Sequence, residues 1–104
     1  MAVKLTADSF ENEVLSANGL VVTDFFSDSC VPCKRMSPVI AELEEEHGDV
    51  KFAKLNINFD GEIAERYSVT AVPTLIFFKN GEEKARLTGA QKKSAIVDVI
   101  NNID

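Results

Sequence analysis

Seven consecutive residues, Leu20-Val21-Val22-Thr23-Asp24-Phe25-Phe26, constrain the fold of this chain more than any other stretch. The run is almost continuously apolar and rich in β-branched and aromatic side chains. It therefore suits a central strand covered on both faces rather than a half-exposed strand with alternating polarity. A strand of that kind needs packed layers above and below it. Asp24 is the anomaly in the run. If buried there, its pKa would rise, because the charged carboxylate would lose hydration.

The rest of the sequence supplies the covering layers. Val3-Lys4-Leu5 reads as a short strand. Thr6 is a candidate N-cap, with Asp8 and Glu11 near the positive helix end. Phe10, Val14 and Ala17 recur at i, i+4 and i+7, which predicts a one-faced helix closed by Asn18-Gly19. After the central strand, the polar turn Ser27-Asp28-Ser29 leads into a helix over 32–46, with Pro32 in its first turn, where no N–H is required. Met36, Val39, Ile40 and Leu43 face inward, the cluster Glu42, Glu44, Glu45 and Glu46 mostly faces solvent, and His47-Gly48 ends the helix. Pro38 inside it removes one hydrogen bond and should bend it. Residues 50–57 read as a second central strand and 62–67 as a short helix. Residues 74–79 and 83–88 read as a hairpin turning at Asn80-Gly81, and 94–103 as a terminal helix. The order β-α-β-α-β-α-β-β-α predicts an α/β fold, one mixed central sheet flanked by helices on both faces, in a single domain over 1–104.

A net charge of −6 argues against nucleic acid and anionic membrane as partners. No apolar run approaches the roughly 20 residues that span a bilayer. Residues 1–5 lack the long apolar region of a secretory leader. These features predict a monomer in the cytoplasm, where thiols stay reduced and a cysteine pair is catalytic or metal-binding rather than structural.

Both cysteines lie in Cys30-Val31-Pro32-Cys33, at the junction of the apolar strand with the following helix. At a helix N-terminus, orphan N–H groups and the macrodipole favour a thiolate, the form that attacks a disulfide, so Cys30 is the candidate nucleophile. Cys33, three residues on, shares its helical face and can reach it as the resolving thiol. Zinc normally takes four ligands, and the chain offers two cysteines and a distant His47. No metal or other cofactor is expected, although two chains pooling four thiolates, or a binding module with incidental cysteines, are alternatives.

Further residues carry a likeness to a known family. Asp24-Phe25 precedes Cys30-Val31-Pro32-Cys33-Lys34, and Pro38 follows. Downstream stand Ala53-Lys54-Leu55-Asn56-Ile57, Val72-Pro73-Thr74, Phe78-Lys79-Asn80-Gly81 and Gly89. Over residues 3–103 the chain resembles the thioredoxin family. It departs from the usual pattern at Ser29 and Phe26, where tryptophan is frequent, and at Val31, where glycine is usual; the chain has no tryptophan. The resemblance implies a thioredoxin fold and a thiol–disulfide oxidoreductase that reduces protein disulfides. It implies recycling by a flavin-containing thioredoxin reductase and no bound cofactor. It also implies that Asp24 serves as acid and base for Cys33, and that Pro73 is a cis-proline facing the site. Val31, Pro32, Ala71, Val72, Pro73, Gly89 and Ala90 would form a substrate-docking surface. Lys54, on the neighbouring strand, is a candidate modulator of Asp24, with an exposed strand lysine as the alternative. An oxidase or isomerase working in the opposite direction would show a reduction potential near or above about −180 mV, against about −270 mV for a reductase.

Overall fold

A computed structural model describes residues 2–103. In chain order the elements are β1 (Val3–Leu5), α1 (Ala7–Phe10), β2 (Leu20–Phe26), α2 (Val31–Glu46), β3 (Lys51–Asn56), α3 (Gly61–Arg66), β4 (Thr74–Lys79), β5 (Glu82–Thr88) and α4 (Lys93–Asn102). The predicted order holds. One expectation changes. The first helix is not a single regular α-helix, because α1 runs straight into a π-helical turn, Glu11–Leu15, closed by a hydrogen bond from the Ser16 N–H to the Glu11 carbonyl at 2.8 Å. Thr6 caps α1 as the sequence suggests, but its partner in the capping box is Ser9. The wider turn still buries Phe10 and Val14, the residues that marked the apolar face.

The five strands lie in the order β1-β3-β2-β4-β5. β1 and β2 run parallel to β3, while β4 is antiparallel to β2 and β5 to β4. β2 is thus paired on both edges and covered on both faces, as its composition requires. Its alternate residues feed two cores. Val21 and Phe25 join Leu5, Leu55, Ile76 and Phe78 beneath α1, the π turn and α3. Val22 joins Phe52, Leu75 and Phe77 beneath Met36, Ile40 and Leu43 of α2 and Ile96 and Ile100 of α4. Phe10, Tyr67 and Phe78 form a ring cluster in the first core, with centroids 5.2–5.8 Å apart and two of the three contacts edge-on.

The β4–β5 turn joins this hairpin to the first helical segment. Asn80 and Gly81 both have positive φ, 51° and 85°, as a two-residue hairpin turn requires. A Cβ on Gly81 would lie 2.7 Å from the Leu15 carbonyl oxygen, so glycine is needed for the close approach as well as for the turn. Lys93 of α4 makes ion pairs with Glu42 and Glu46, so part of the acidic cluster of α2 ties two helices together rather than merely facing solvent. Pro38 sits on the exposed side of α2, and the helix continues through it to Glu46. Lys34, whose carbonyl would have met a Pro38 N–H, is an exposed residue. No helix among the described residues is long and apolar enough to cross a membrane.

Candidate active site

The cysteine segment is positioned by the end of β2 and the start of α2. β2 ends at Phe26, the chain turns through Ser27-Asp28-Ser29, and Cys30 becomes the N-cap of α2. The cap is made by sulfur: the Cys33 N–H donates to Cys30 Sγ at 3.1 Å. Val31 and Pro32 fill the first helical positions, where the absent N–H of proline costs no helical bond. The two sulfurs are joined in a disulfide, with the Cα atoms 5.2 Å apart. Cys30 Sγ therefore occupies the place of the thiolate in the reduced protein, facing an N–H group at the positive end of a 16-residue helix.

Asp24 lies on the α2 face of the sheet, because side chains alternate along β2 and Val22, two residues away, belongs to the core beneath α2. It is 8 % exposed, and its Oδ1 is buried without a hydrogen-bond partner among the described residues. Burial pushes the carboxyl up from 3.8 to about 7; the Lys54 ammonium pulls it the other way but is the smaller influence. Lys54 is directly opposite Asp24 in the β2–β3 register and is half-buried, so the residue is not simply an exposed strand lysine. Replacing Lys54 with methionine is expected to raise the Asp24 pKa above about 7, because burial is then unopposed. A carboxyl-carbon NMR titration checks this, and an unmoved titration would remove Lys54 from the site.

A cleft of about 160 Å³ brings these groups together, with Asp24, Cys33, Lys54, Ser37, Ser27 and Asp28 among its walls. It is polar and large enough to hold water between Cys33 and Asp24. Two of its features were not anticipated. Ser37 is one helical turn beyond Cys33 and shares its face, a spacing visible in the sequence once α2 is placed. Asp28 accepts hydrogen bonds from Asn56 Nδ2 at 3.0 Å and Asn58 Nδ2 at 3.5 Å, fixing the cysteine-bearing turn to the turn after β3. Nothing in the local pattern around Asp28 signals that partnership.

The remaining anticipated residues lie in two loops. The Val72–Pro73 bond is cis. The Pro73 carbonyl accepts from the Gly89 N–H at 2.7 Å, and the Ala71 carbonyl accepts from Thr74 Oγ1 at 2.7 Å. The Gln91 N–H donates to Met36 Sδ at 3.4 Å, which holds the segment after β5 against α2 one turn beyond Cys33. Residues 71–73 and 89–90 are thereby linked to one another and to the active-site helix. Val31, Pro32, Ala71 and Ala90 are exposed, Val72 and Gly89 are half-buried, and Pro73 is buried.

Comparison with known proteins follows the same pattern along the chain. A family model described as Thioredoxin matches residues 1–102. A thioredoxin of Rickettsia bellii (strain RML369-C) is 38% identical over 103 residues, covering 98% of each chain. One of Rickettsia felis (strain ATCC VR-1525 / URRWXCal2) is 40% identical over 102 residues, covering 97% of each. One of Chlamydia caviae (strain ATCC VR-813 / DSM 19441 / 03DC25 / GPIC) is 40% identical over 101 residues, again covering 97% of each.

Proposed function

The chain belongs to the thioredoxin family and is a thiol–disulfide oxidoreductase, and we propose that it reduces protein disulfides with Cys30 as the attacking and Cys33 as the resolving sulfur. The observation that carries this reading is the sulfur cap, in which Cys30 Sγ accepts the Cys33 N–H at the head of α2. The same N–H stabilises the thiolate when the pair is reduced.

In the first step the Cys30 thiolate attacks one sulfur of the substrate disulfide. A Cys30–substrate bond forms, the substrate S–S bond breaks, and the departing thiolate takes up a proton. Cys33 then loses its proton through the cleft to Asp24, whose pKa of about 7 suits it to accept and return a proton near neutrality. The Cys33 thiolate attacks Cys30 Sγ, closing the Cys30–Cys33 disulfide and releasing the second substrate thiolate. Two electrons pass from the dithiol to the substrate, so the chemistry itself needs no bound cofactor.

Val31, Pro32, Ala71, Val72, Pro73, Gly89 and Ala90 are the proposed docking surface, with the backbone of Val72 available for strand-like pairing to an extended substrate. The protein would work in the cytoplasm, reduced again by a flavin-containing thioredoxin reductase.

Replacing Cys33 with serine tests the order of attack. Resolution is lost, so a mixed disulfide through Cys30 accumulates with a protein substrate and is seen as a mass adduct that dithiothreitol removes. An adduct through any residue other than Cys30 would overturn the assignment.

A further inference from the structure

Phe59 stands apart from the other phenylalanines. Of the seven in the chain, five are buried and Phe26 is half-buried, whereas Phe59 is 79 % exposed. A solitary exposed apolar side chain is ordinary on a protein surface; the setting of this one is not. The turn that presents it is pinned. The Asn56 carbonyl accepts from the N–H groups of Phe59 at 3.2 Å and Asp60 at 3.0 Å, and Asn56 Oδ1 accepts from the Asn58 N–H at 2.9 Å. Asn56 Nδ2 in turn donates to Asp28, and Asp60 Oδ1 accepts from the Ala7 N–H at 2.9 Å. The ring is thus held out from a turn fixed to the cysteine loop on one side and to α1 on the other.

Beside it lies a cleft of about 480 Å³ at the carboxyl ends of β1, β2 and β3, with Leu5, Phe26, Lys4 and Lys54 among its walls. The crevice beyond the carboxyl ends of parallel strands is where open α/β sheets receive ligands. The cleft adjoins the one that reaches Cys33, with Phe26, Asp28 and Lys54 as shared walls.

We propose that Phe59, Phe26 and Lys4 form a second docking surface for the polypeptide whose disulfide is reduced, one that accepts an aromatic or large aliphatic side chain flanked by a carboxylate. The inference rests on attack by Cys30 as set out above. The cysteine-bearing turn identifies the occupant, because Asp28, two residues before Cys30, is a wall of this cleft, and a polypeptide held at Cys30 is the partner brought alongside it. Charge identifies its flank. Lys4 and Lys54 are register partners on β1 and β3, a like-charge pair that a carboxylate relieves. Lys54 already faces Asp24, whereas exposed Lys4 has no ion pair among the described residues. The two acids of the cleft, Asp28 and Asp60, are engaged by Asn56, Asn58 and the Ala7 N–H. A ring presented by a rigid turn also loses little freedom on contact.

The test uses two synthetic peptides with the same internal disulfide loop, one extended by Phe-Glu-Glu and the other by Ser-Gln-Gln. The wild-type protein is expected to show a KM about tenfold lower for the first. Phe59→Ser should remove that preference while leaving kcat and the reduction of a small aromatic disulfide unchanged, and Lys4→Gln should lessen it. Equal KM values in the wild type, or a preference that survives Phe59→Ser, would overturn the docking surface alone. A loss of self-association on Phe59→Ser, seen by sedimentation, would assign the face to a second copy of the chain and overturn it too. Failure of the wild type to reduce any of the three disulfides would overturn the thiol mechanism and the docking surface together.

Discussion

Cys30→Ser is expected to lower disulfide reduction by at least roughly 10³-fold, the scale on which removing an enzymatic nucleophile acts. A serine hydroxyl at the head of α2 still meets the N–H groups of the first turn, but it is not ionised there and forms no disulfide. Cys33 does not substitute for Cys30. Exposure barely separates the two, at 8 % for Cys30 and 4 % for Cys33, but Cys33 lines the cleft toward Asp24 and Cys30 does not, standing instead at the N-cap beside the exposed Val31 and Pro32. The fold should survive the change, because both cores are assembled from residues other than Cys30. Stopped-flow reduction of a small aromatic disulfide and of a disulfide-bearing peptide, with circular dichroism as the control for folding, measures the effect. Turnover within tenfold of the wild type in a folded variant would remove Cys30 as the attacking group.

The placement of Cys30 and Cys33 at the head of α2 was legible in the sequence because it depends on local rules: a strand end, a three-residue spacing and a helix start. β2 was legible for the same reason, since a run apolar on both faces leaves few other placements. The features missed depend on long-range register. Asp28 is held by Asn56 and Asn58, roughly 30 residues away, and only the pairing of β2 with β3 brings their turns together. Lys54, by contrast, was expected on the strand beside Asp24, and the register sets the two directly opposite. Phe59 reads in the sequence as one more apolar residue, and its exposure follows from a turn closed by Asn56 and Asp28. The π-helical turn escaped because Phe10 and Val14, four residues apart, satisfy an α-helical pattern equally well.

Asp24→Asn is expected to stabilise the folded protein by about 2–4 kcal/mol above pH 8 and by almost nothing at pH 4, while slowing turnover. The sign follows from proton uptake. Folding raises the Asp24 pKa from 3.8 to about 7, so between these values the folded state holds a proton that the unfolded state has released. Stability therefore falls as pH rises through this window. Below it both states are protonated and the acid costs nothing through ionisation. Above it both are charged, and the folded state bears the full cost of a carboxylate kept from water, roughly 4 kcal/mol at about 1.4 kcal/mol per pH unit. Asparagine removes the charge but keeps a polar group where Oδ1 has no partner among the described residues, so part of the cost persists. Lys54 works against the penalty without cancelling it. Denaturant unfolding of the oxidised wild-type and variant proteins at pH 4 and pH 8 separates the contributions. A gain equal at both pH values would come from packing rather than charge, and no gain at pH 8 would mean that the carboxylate is well solvated. Turnover should fall in the same variant, because Cys33 then has no group beside it that accepts a proton near neutrality. On this reading the stability lost by burying Asp24 and the reactivity of the second thiol would come from one placement, an acid on the central strand beneath the active-site helix.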